Sequence, residues 1–368
     1  MASRTEASRD VELERLNAEL LKQNLTPTWA YYTSLITPQP KVSYAPYLWK
    51  WEVLLHYLRR AGELVDLERG AERRSFELVN PALRHIMGTT HTIGAAVQLV
   101  KPGEVAPAHR HLANAIRFIV KGRGSYTAVQ GEPLYMEERD LILTPSWTWH
   151  DHGNETTEPI IWVDALDYPF NQLMQVSFFN AYPEARHPFT KPLGYTANWM
   201  GFARPTWETY AEPVPLATYR WTETARALQY LQGSEGSPFD GILLEYVNPF
   251  RQGPVLPTMA CYAQLLRPGE HTRAHRHTSS AICFVLDGAG YSVLNGERFN
   301  WAPGDLFMIP PWYWHEHVNT AAEESRFFVI SDKPIYDTFN LSREEAYAEN
   351  GHQQRVEKTF TPMLLSGA

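Results

Sequence analysis

Leu13, Leu16, Leu20 and Leu21 recur at helical spacing from about Ser8 until Pro27 interrupts them, a pattern that predicts an amphipathic N-terminal helix. A second periodic stretch puts Trp51, Leu54, Leu55 and Leu58 on one face and predicts a helix that stops at Gly62. Both read as packing or oligomer-forming elements. From about Arg74 the pattern changes to short apolar or alternating runs separated by Gly, Pro and Asn, among them Ala95 to Val100, Ile116 to Val120 and Leu141 to Leu143. Such runs predict strands joined by turns. Pro183, Pro188, Pro192, Pro205, Pro213 and Pro215 crowd a stretch that reads as a linker, followed by a short helix around Thr222 to Gln232.

The strand-rich text occurs twice. "QLVKPGEVAPAHRHLANAIRFIVKGRG" from Gln98 to Gly124 recurs as "QLLRPGEHTRAHRHTSSAICFVLDGAG" from Gln264 to Gly290. After a one-residue deletion the match goes on, pairing Gly131 with Gly296, Asp140 with Asp305, Pro145 with Pro310, Trp147 with Trp312, His150 with His315 and His152 with His317. Upstream, "LVNP" ending at Pro81 answers "YVNP" ending at Pro249. The chain is therefore a tandem duplication of one all-β unit of about 100 residues, each copy preceded by helical material. The expected division is a helical segment over 1–75, a first β domain over 76–182, a linker with a short helix over 183–238, a second β domain over 239–340 and a tail over 341–368.

Composition narrows the function classes. The chain has 368 residues, 44% of them hydrophobic, with 33 Lys+Arg against 41 Asp+Glu for a formal charge of −8. No apolar run approaches the ~18 residues of a membrane span, and no basic block offers the clustered positive field that nucleic acid needs. Cys261 and Cys283 and an N-terminus without an apolar signal core predict a reducing, cytoplasmic setting without disulfides.

Fourteen histidines stand out, and eight fall in matching sets: His109, His111, His150, His152 and His275, His277, His315, His317. Residues two apart in a strand face the same way, so His109 and His111 can aim at one point, and His150 can reach it from another strand of a small barrel. Such a tripod leaves coordination positions open for a substrate and a second small molecule. Three neutral imidazoles suit Zn, Cu, Ni or Fe alike. They leave the ion's charge uncompensated, which a chelating dianion, carboxylate plus deprotonated ortho-hydroxyl, would neutralise. His152 shares the face of His150, either as a proton carrier beside the metal or as a polar residue at the barrel rim. Arg117, on the face of Ala115, can point into the barrel, where an anion or an acidic neighbour such as Asp164 must meet it. The pair either recognises an anion or simply completes the barrel, and Arg74 reads as structural.

These residues resemble the cupin superfamily. Gly103, His109, His111 and Gly122, then Pro145, His150 and Asn154, form the skeleton of its two motifs, with Ala115 and Ala281 where many members carry a glutamate ligand. Together with "RGAERRSFELVNPALR", "LTPSWTWHDHGN" and "IWVDALDYPF", the chain looks like the gentisate 1,2-dioxygenase family, whose members also cleave salicylate and 1-hydroxy-2-naphthoate. The resemblance implies a bicupin, all-β with helical additions, of two double-stranded β-helix (jelly-roll) barrels. It implies a non-haem Fe(II) enzyme that opens an aromatic ring between the carboxylate-bearing and hydroxyl-bearing carbons, incorporating O2. Carried over, His109, His111 and His150 are the iron ligands. Arg69, Arg73, Arg117, His152 and Asp164 surround the substrate with Gln98 nearby, while Gly94 and Ala96 line the pocket. The family also implies a homotetramer.

The halves differ. Arg117 corresponds to Cys283, Asp164 to Val329, and Arg69 and Arg73 to Ser237 and Gly241, yet His275, His277 and His315 are retained as a second candidate metal set. The expected substrate is gentisate, with salicylate, a substituted salicylate or 1-hydroxy-2-naphthoate as alternatives, and a non-catalytic metal-binding bicupin as the reading from another class.

Overall fold

The computed structural model describes residues 2–65, 74–196, 206–207, 218–249 and 252–365. Met1–Ser43 and Tyr44–Ala368 are two compact units. In the first, α1 (Ala2–Lys22) starts before Ser8, and a helix not expected from periodicity, α2 (Thr28–Leu35), follows Pro27. Leu13, Leu16, Leu21 and Trp29 are exposed there.

The second unit holds both copies of the repeat. The first copy folds as two facing sheets. One comprises β2 (Ser75–Glu77), β3 (Gly94–Val100), β5 (Ala115–Lys121), β8 (Leu141–Thr144), β10 (Ile160–Leu166) and β12 (Thr218–Tyr219), ordered β12-β8-β5-β10-β3-β2. The other comprises β4 (Val105–His111), β6 (Tyr126–Val129), β7 (Glu132–Tyr135), β9 (His150–Gly153) and β11 (Phe179–Ala181), ordered β11-β4-β9-β6-β7. The second copy repeats this with β13 (Ile242–Glu245), β16 (Ala260–Leu266), β18 (Ala281–Asp287), β21 (Leu306–Ile309) and β23 (Ser325–Ser331) in one sheet. Its partner sheet has β17 (His275–His277), β19 (Gly290–Leu294), β20 (Glu297–Trp301), β22 (His315–Asn319), β24 (Glu344–Ala346) and β25 (Lys358–Thr359). A separate hairpin, β14 (Val247–Asn248) with β15 (Gly253–Pro254), follows β13.

Strand exchange ties the copies together. β1 (Tyr47–Trp49), which precedes the first copy in sequence, pairs with β21 of the second, and β12, which precedes the second copy, pairs with β8 of the first. Each exchanged strand leads into a helix whose first backbone N–H is held by a buried aspartate of the same barrel. Trp51 of α3 (Trp51–Leu64) donates to Asp305 at 2.9 Å, and Trp221 of α5 (Trp221–Leu231) donates to Asp140 at 2.9 Å. Lys50 and Arg220 add ion pairs to the same carboxylates.

Leu54 and Leu58 are buried as the periodicity predicts, but α3 does not stop at Gly62. It runs on to Leu64, and Gly62 serves packing instead, because a Cβ there would stand 3.0 Å from Leu99 Cδ2 of β3. Two short helices, α4 (Tyr168–Leu173) and α6 (Lys333–Thr338), follow the last long strand of each copy. Ile119, Val129, Leu134, Met136, Ile142 and Trp162 pack together in the core of the first barrel. Both cysteines are free and buried. Among the described residues no helix is long and apolar enough to cross a membrane.

Candidate metal centre and active site

β4 delivers His109 and His111 to one face by its two-residue period, and β9 brings His150 opposite His109 in the ladder. The ring centroids lie 5.3 Å apart for His109 and His111, 4.3 Å for His109 and His150, and 4.8 Å for His111 and His150. One nitrogen from each falls within 4.8 Å of the others.

The backbone sets the tautomers. A carbonyl oxygen only accepts, so the contacts of His109 Nδ1 with Pro107 (2.9 Å), His111 Nδ1 with Ala113 (2.7 Å) and His150 Nδ1 with Thr148 (2.9 Å) put the proton on Nδ1 in each ring. Each Nε2 then carries a lone pair, which is the state a metal requires. Burial, and then the neighbouring His109 and His111, holds the His150 pKa well below its ordinary value, so this imidazole is neutral at pH 7. The turn before β9 is locked by Trp147, whose φ is +61° and whose N–H donates to the His111 carbonyl at 2.8 Å. Arg110 is sandwiched between Trp147 and Trp149 at 4.3 and 4.5 Å.

Facing the triad, the other sheet carries a lateral row. Arg117 pairs across the ladder with Asp164, Asp164 with Ala96, and Ala96 with Glu77. In a sheet such a row shares one face. Arg117 Nε lies 3.0 Å from Asp164 Oδ1, both side chains being buried, and Trp162 Nε1 donates to Asp164 Oδ2 at 2.7 Å. Burial pulls the Arg117 pKa down and Asp164 opposes it. Arg117 Nη1 also donates to Thr127 Oγ1 at 3.4 Å, and that oxygen meets His152 Nδ1 at 3.0 Å. His152 is buried, its ring 5.7 Å from that of His150.

Gln98 lies two residues from Ala96 on the same face, and its buried Nε2 has no hydrogen-bond partner among the described residues. Gly94, two residues the other way, faces Tyr168: a Cβ there would come within 2.2 Å of the tyrosine ring. The structure thus brings His109, His111, His150, His152, Arg117, Asp164, Gln98, Ala96 and Gly94 to one end of one barrel. Arg69 and Arg73 lie outside the described residues. Arg74 is structural, its guanidinium meeting Glu104 at 2.7 and 2.8 Å and the Val65 carbonyl.

One group escaped the sequence reading. Glu77 lies one strand beyond Ala96, receives the Tyr168 hydroxyl at 3.4 Å, and has its pKa raised to about 7 by burial and then by Asp164. A signal existed: "ELVNP" at Glu77 repeats as "EYVNP" at Glu245.

A Cupin domain model matches residues 96–166 and again 263–331. A 5-aminosalicylate 1,2-dioxygenase of Comamonas sp is 46% identical over 354 residues, covering 95% of this chain and 94% of the relative. The chain belongs to the gentisate 1,2-dioxygenase family. A gentisate 1,2-dioxygenase of Aquipseudomonas alcaligenes is 33% identical over 90% of this chain and 96% of its own length. The crystal structure of salicylate 1,2-dioxygenase from Pseudoaminobacter salicylatoxidans with gentisate superposes with a TM-score of 0.83 at 34% identity, covering 91% of this chain and 93% of that one. The protein is accordingly a bicupin ring-cleaving dioxygenase, and each of this chain's two histidine triads could hold a metal ion.

Proposed function

We propose that the first barrel holds Fe(II) through His109, His111 and His150 and opens an ortho-hydroxylated aromatic carboxylate, gentisate first among them, between the carboxylate-bearing and hydroxyl-bearing carbons. The observation that carries this reading is three convergent Nε2 lone pairs facing a buried Arg117–Asp164 pair. The donor set fits: neutral imidazoles held by backbone carbonyls suit a divalent transition metal, and the missing negative charge suits a chelating anion. When bound, iron supplies a meeting point for the organic acid and O2.

The chain's own residues do the rest. A guanidinium has five N–H groups, so Arg117 keeps donors for the substrate carboxylate after engaging Asp164 and Thr127. Gln98 Nε2 offers a further donor to a substrate oxygen. Asp164 holds Arg117 in place, and His152 Nε2 holds or passes the hydroxyl proton while Thr127 fixes its other nitrogen. Arg69 and Arg73 complete the carboxylate clamp in this reading. Ala96 leaves room for the ring, Gly94 admits the Tyr168 ring that walls the pocket, and the apolar cluster around Trp162 keeps water out.

Glu77 favours a ring bearing a hydrogen-bond donor away from the chelating pair, which includes the 5-hydroxyl of gentisate and the 5-amino group of 5-aminosalicylate. Oxygen uptake by the iron-loaded protein, measured separately with gentisate, 5-aminosalicylate, salicylate and 1-hydroxy-2-naphthoate, tests the reading. Uptake with the first two above salicylate is expected. Absence of uptake with all four would replace it with a non-catalytic metal-binding bicupin. The reading includes a homotetramer, which light scattering checks.

A further inference from the structure

Backbone carbonyls orient the rings of the first triad, so whatever holds that backbone holds the ligands. His150 takes its tautomer from the Thr148 carbonyl at 2.9 Å, and Thr148 lies in the turn between Trp147 and Trp149. Trp147 stands at φ +61°, a left-handed conformation in which a bulky residue persists only when its surroundings impose it. Arg110 supplies those surroundings. It lies between His109 and His111 on β4, so its side chain leaves the opposite face of the strand. There its guanidinium carbon is 4.3 Å from the centre of the Trp147 ring and 4.5 Å from that of Trp149.

A third strand joins the contact. Asn180 stands opposite Arg110 in the β11–β4 ladder, and its Oδ1 accepts from Arg110 Nε at 3.3 Å and Nη2 at 3.2 Å. Its neighbour Phe179 stacks on His109, with centroids 5.2 Å apart and planes 25° apart. One guanidinium therefore touches the turn that leads to His150 and the strand whose phenylalanine covers His109, and it springs from the strand of His109 and His111. The second copy repeats the device. Arg276 lies between Trp312 and Trp314 at 4.5 and 4.2 Å, and Trp312 has φ +60° with its N–H donating to the His277 carbonyl at 2.7 Å. Glu345 takes the place of Asn180 there, accepting from Arg276 Nε at 3.0 Å and Nη2 at 2.6 Å. A left-handed tryptophan with an arginine on its ring, found beside each histidine pair, ties that backbone conformation to the stack.

We propose that Arg110 is a positioning residue of the first metal centre, a clip that joins β4, the Trp147–Trp149 turn and β11, keeps His150 against His109 and His111, and so slows departure of the ion. A flat guanidinium presents one face to each indole while its edge bonds Asn180. An ammonium is a compact charge without a face, so lysine can serve only one indole at a time. Because Arg110 acts through the backbone from the far side of β4, its removal speeds metal release and leaves the Arg117–Asp164 pair in place.

The inference rests on the first triad holding a divalent transition metal, and the two are tested separately. In full-length protein carrying His275→Ala only the first triad is complete, so one Co(II) per chain by mass spectrometry, lost on adding His109→Ala, tests the triad itself. Absence of uptake would remove the metal reading and the clip with it. On the same background, Co(II) release to excess EDTA is followed through the visible Co(II) bands, with circular dichroism to check folding. Arg110→Met is expected to load fully, to shift the bands and to release Co(II) about tenfold faster, the lower end of what losing a ligand-orienting group costs in affinity. Arg110→Lys is expected to fall between it and the parent. Arg276→Met, which opens the matching clip on the other barrel, is expected to leave rate and bands unchanged. Should Arg110→Met not fold, Trp149→Leu, which removes one face of the stack, carries the same expectation. A folded clip variant with the parent's rate and bands would overturn the proposal, and so would an equal acceleration by Arg276→Met, which would mark general loosening of the fold.

Discussion

Arg117 and Glu77 sit in one lateral row with two strands between them, and their environments give them opposite tasks. Arg117 is a buried cation held by a buried carboxylate, so truncating it to alanine strands Asp164 without its partner. A cost of about 3–5 kcal/mol in stability is expected, read as a lower unfolding midpoint. Loss of the clamp should also lower kcat/KM by at least ~100-fold with metal content unchanged. Glu77 is held near pH 7 by burial and by Asp164. Its proton is bound in the folded state up to about pH 7 but leaves the unfolded chain at the ordinary value of 4.5, so its stabilising contribution is complete below that value and is lost as pH rises through 7. The same ionisation creates the acceptor for a ring hydroxyl or amine. Glu77→Gln should therefore flatten the unfolding midpoint between pH 5 and 8 and reduce the preference for gentisate over salicylate above pH 7. An unchanged substrate ratio would place Glu77 outside the pocket.

At the scale of elements, function depends on strand register. The histidine pair works because β4 alternates, and a one-residue slip would turn both rings away from His150. The row from Arg117 to Glu77 exists because three ladders are in step. Helix α5 has its first turn pinned by Asp140, which accepts the Trp221 N–H and pairs with Arg220. Asp140→Ala should cost about 1–2 kcal/mol, the worth of an N-terminal cap, with the half-exposed Arg220 pair adding little. Hydrogen exchange should quicken in α5 and in β12, while metal content at the first triad stays the same. Equal exchange rates in variant and parent would show that the cap does not hold the linker.

In the whole Tyr44–Ala368 unit, the two barrels share a face. Phe118 stacks on Phe328 at 4.0 Å with the planes 15° apart, and Arg139 forms a two-bonded ion pair with Asp287 at 2.8 Å. Thr92 of the first copy donates to the buried Asp332 of the second, and Thr258 of the second returns the contact to Asp167 of the first. Because β1 and β12 also cross between the copies' chain segments, unfolding should be a single calorimetric transition. Phe328→Ala should lower it by about 3–5 kcal/mol without splitting it. Two resolved transitions would show the barrels to be energetically independent.

The sequence by itself determined the duplication, the positions of most long strands and both histidine triads. Each of these is written in short-range spacing: period two for the strands, His-x-His within a strand, and a motif repeated whole. Tertiary structure decided what spacing does not encode. Gly62 reads as a helix stop, yet α3 passes through it because Leu99 of β3 occupies the room of the missing side chain. The repeated segment at Glu77 marks that residue but not its task, which it acquires only when β10, distant in the chain, brings Asp164 into the same lateral row. Long-range pairing costs loop-closure entropy that only the complete set of barrel contacts offsets, so its outcome belongs to the assembled fold and not to any window of residues.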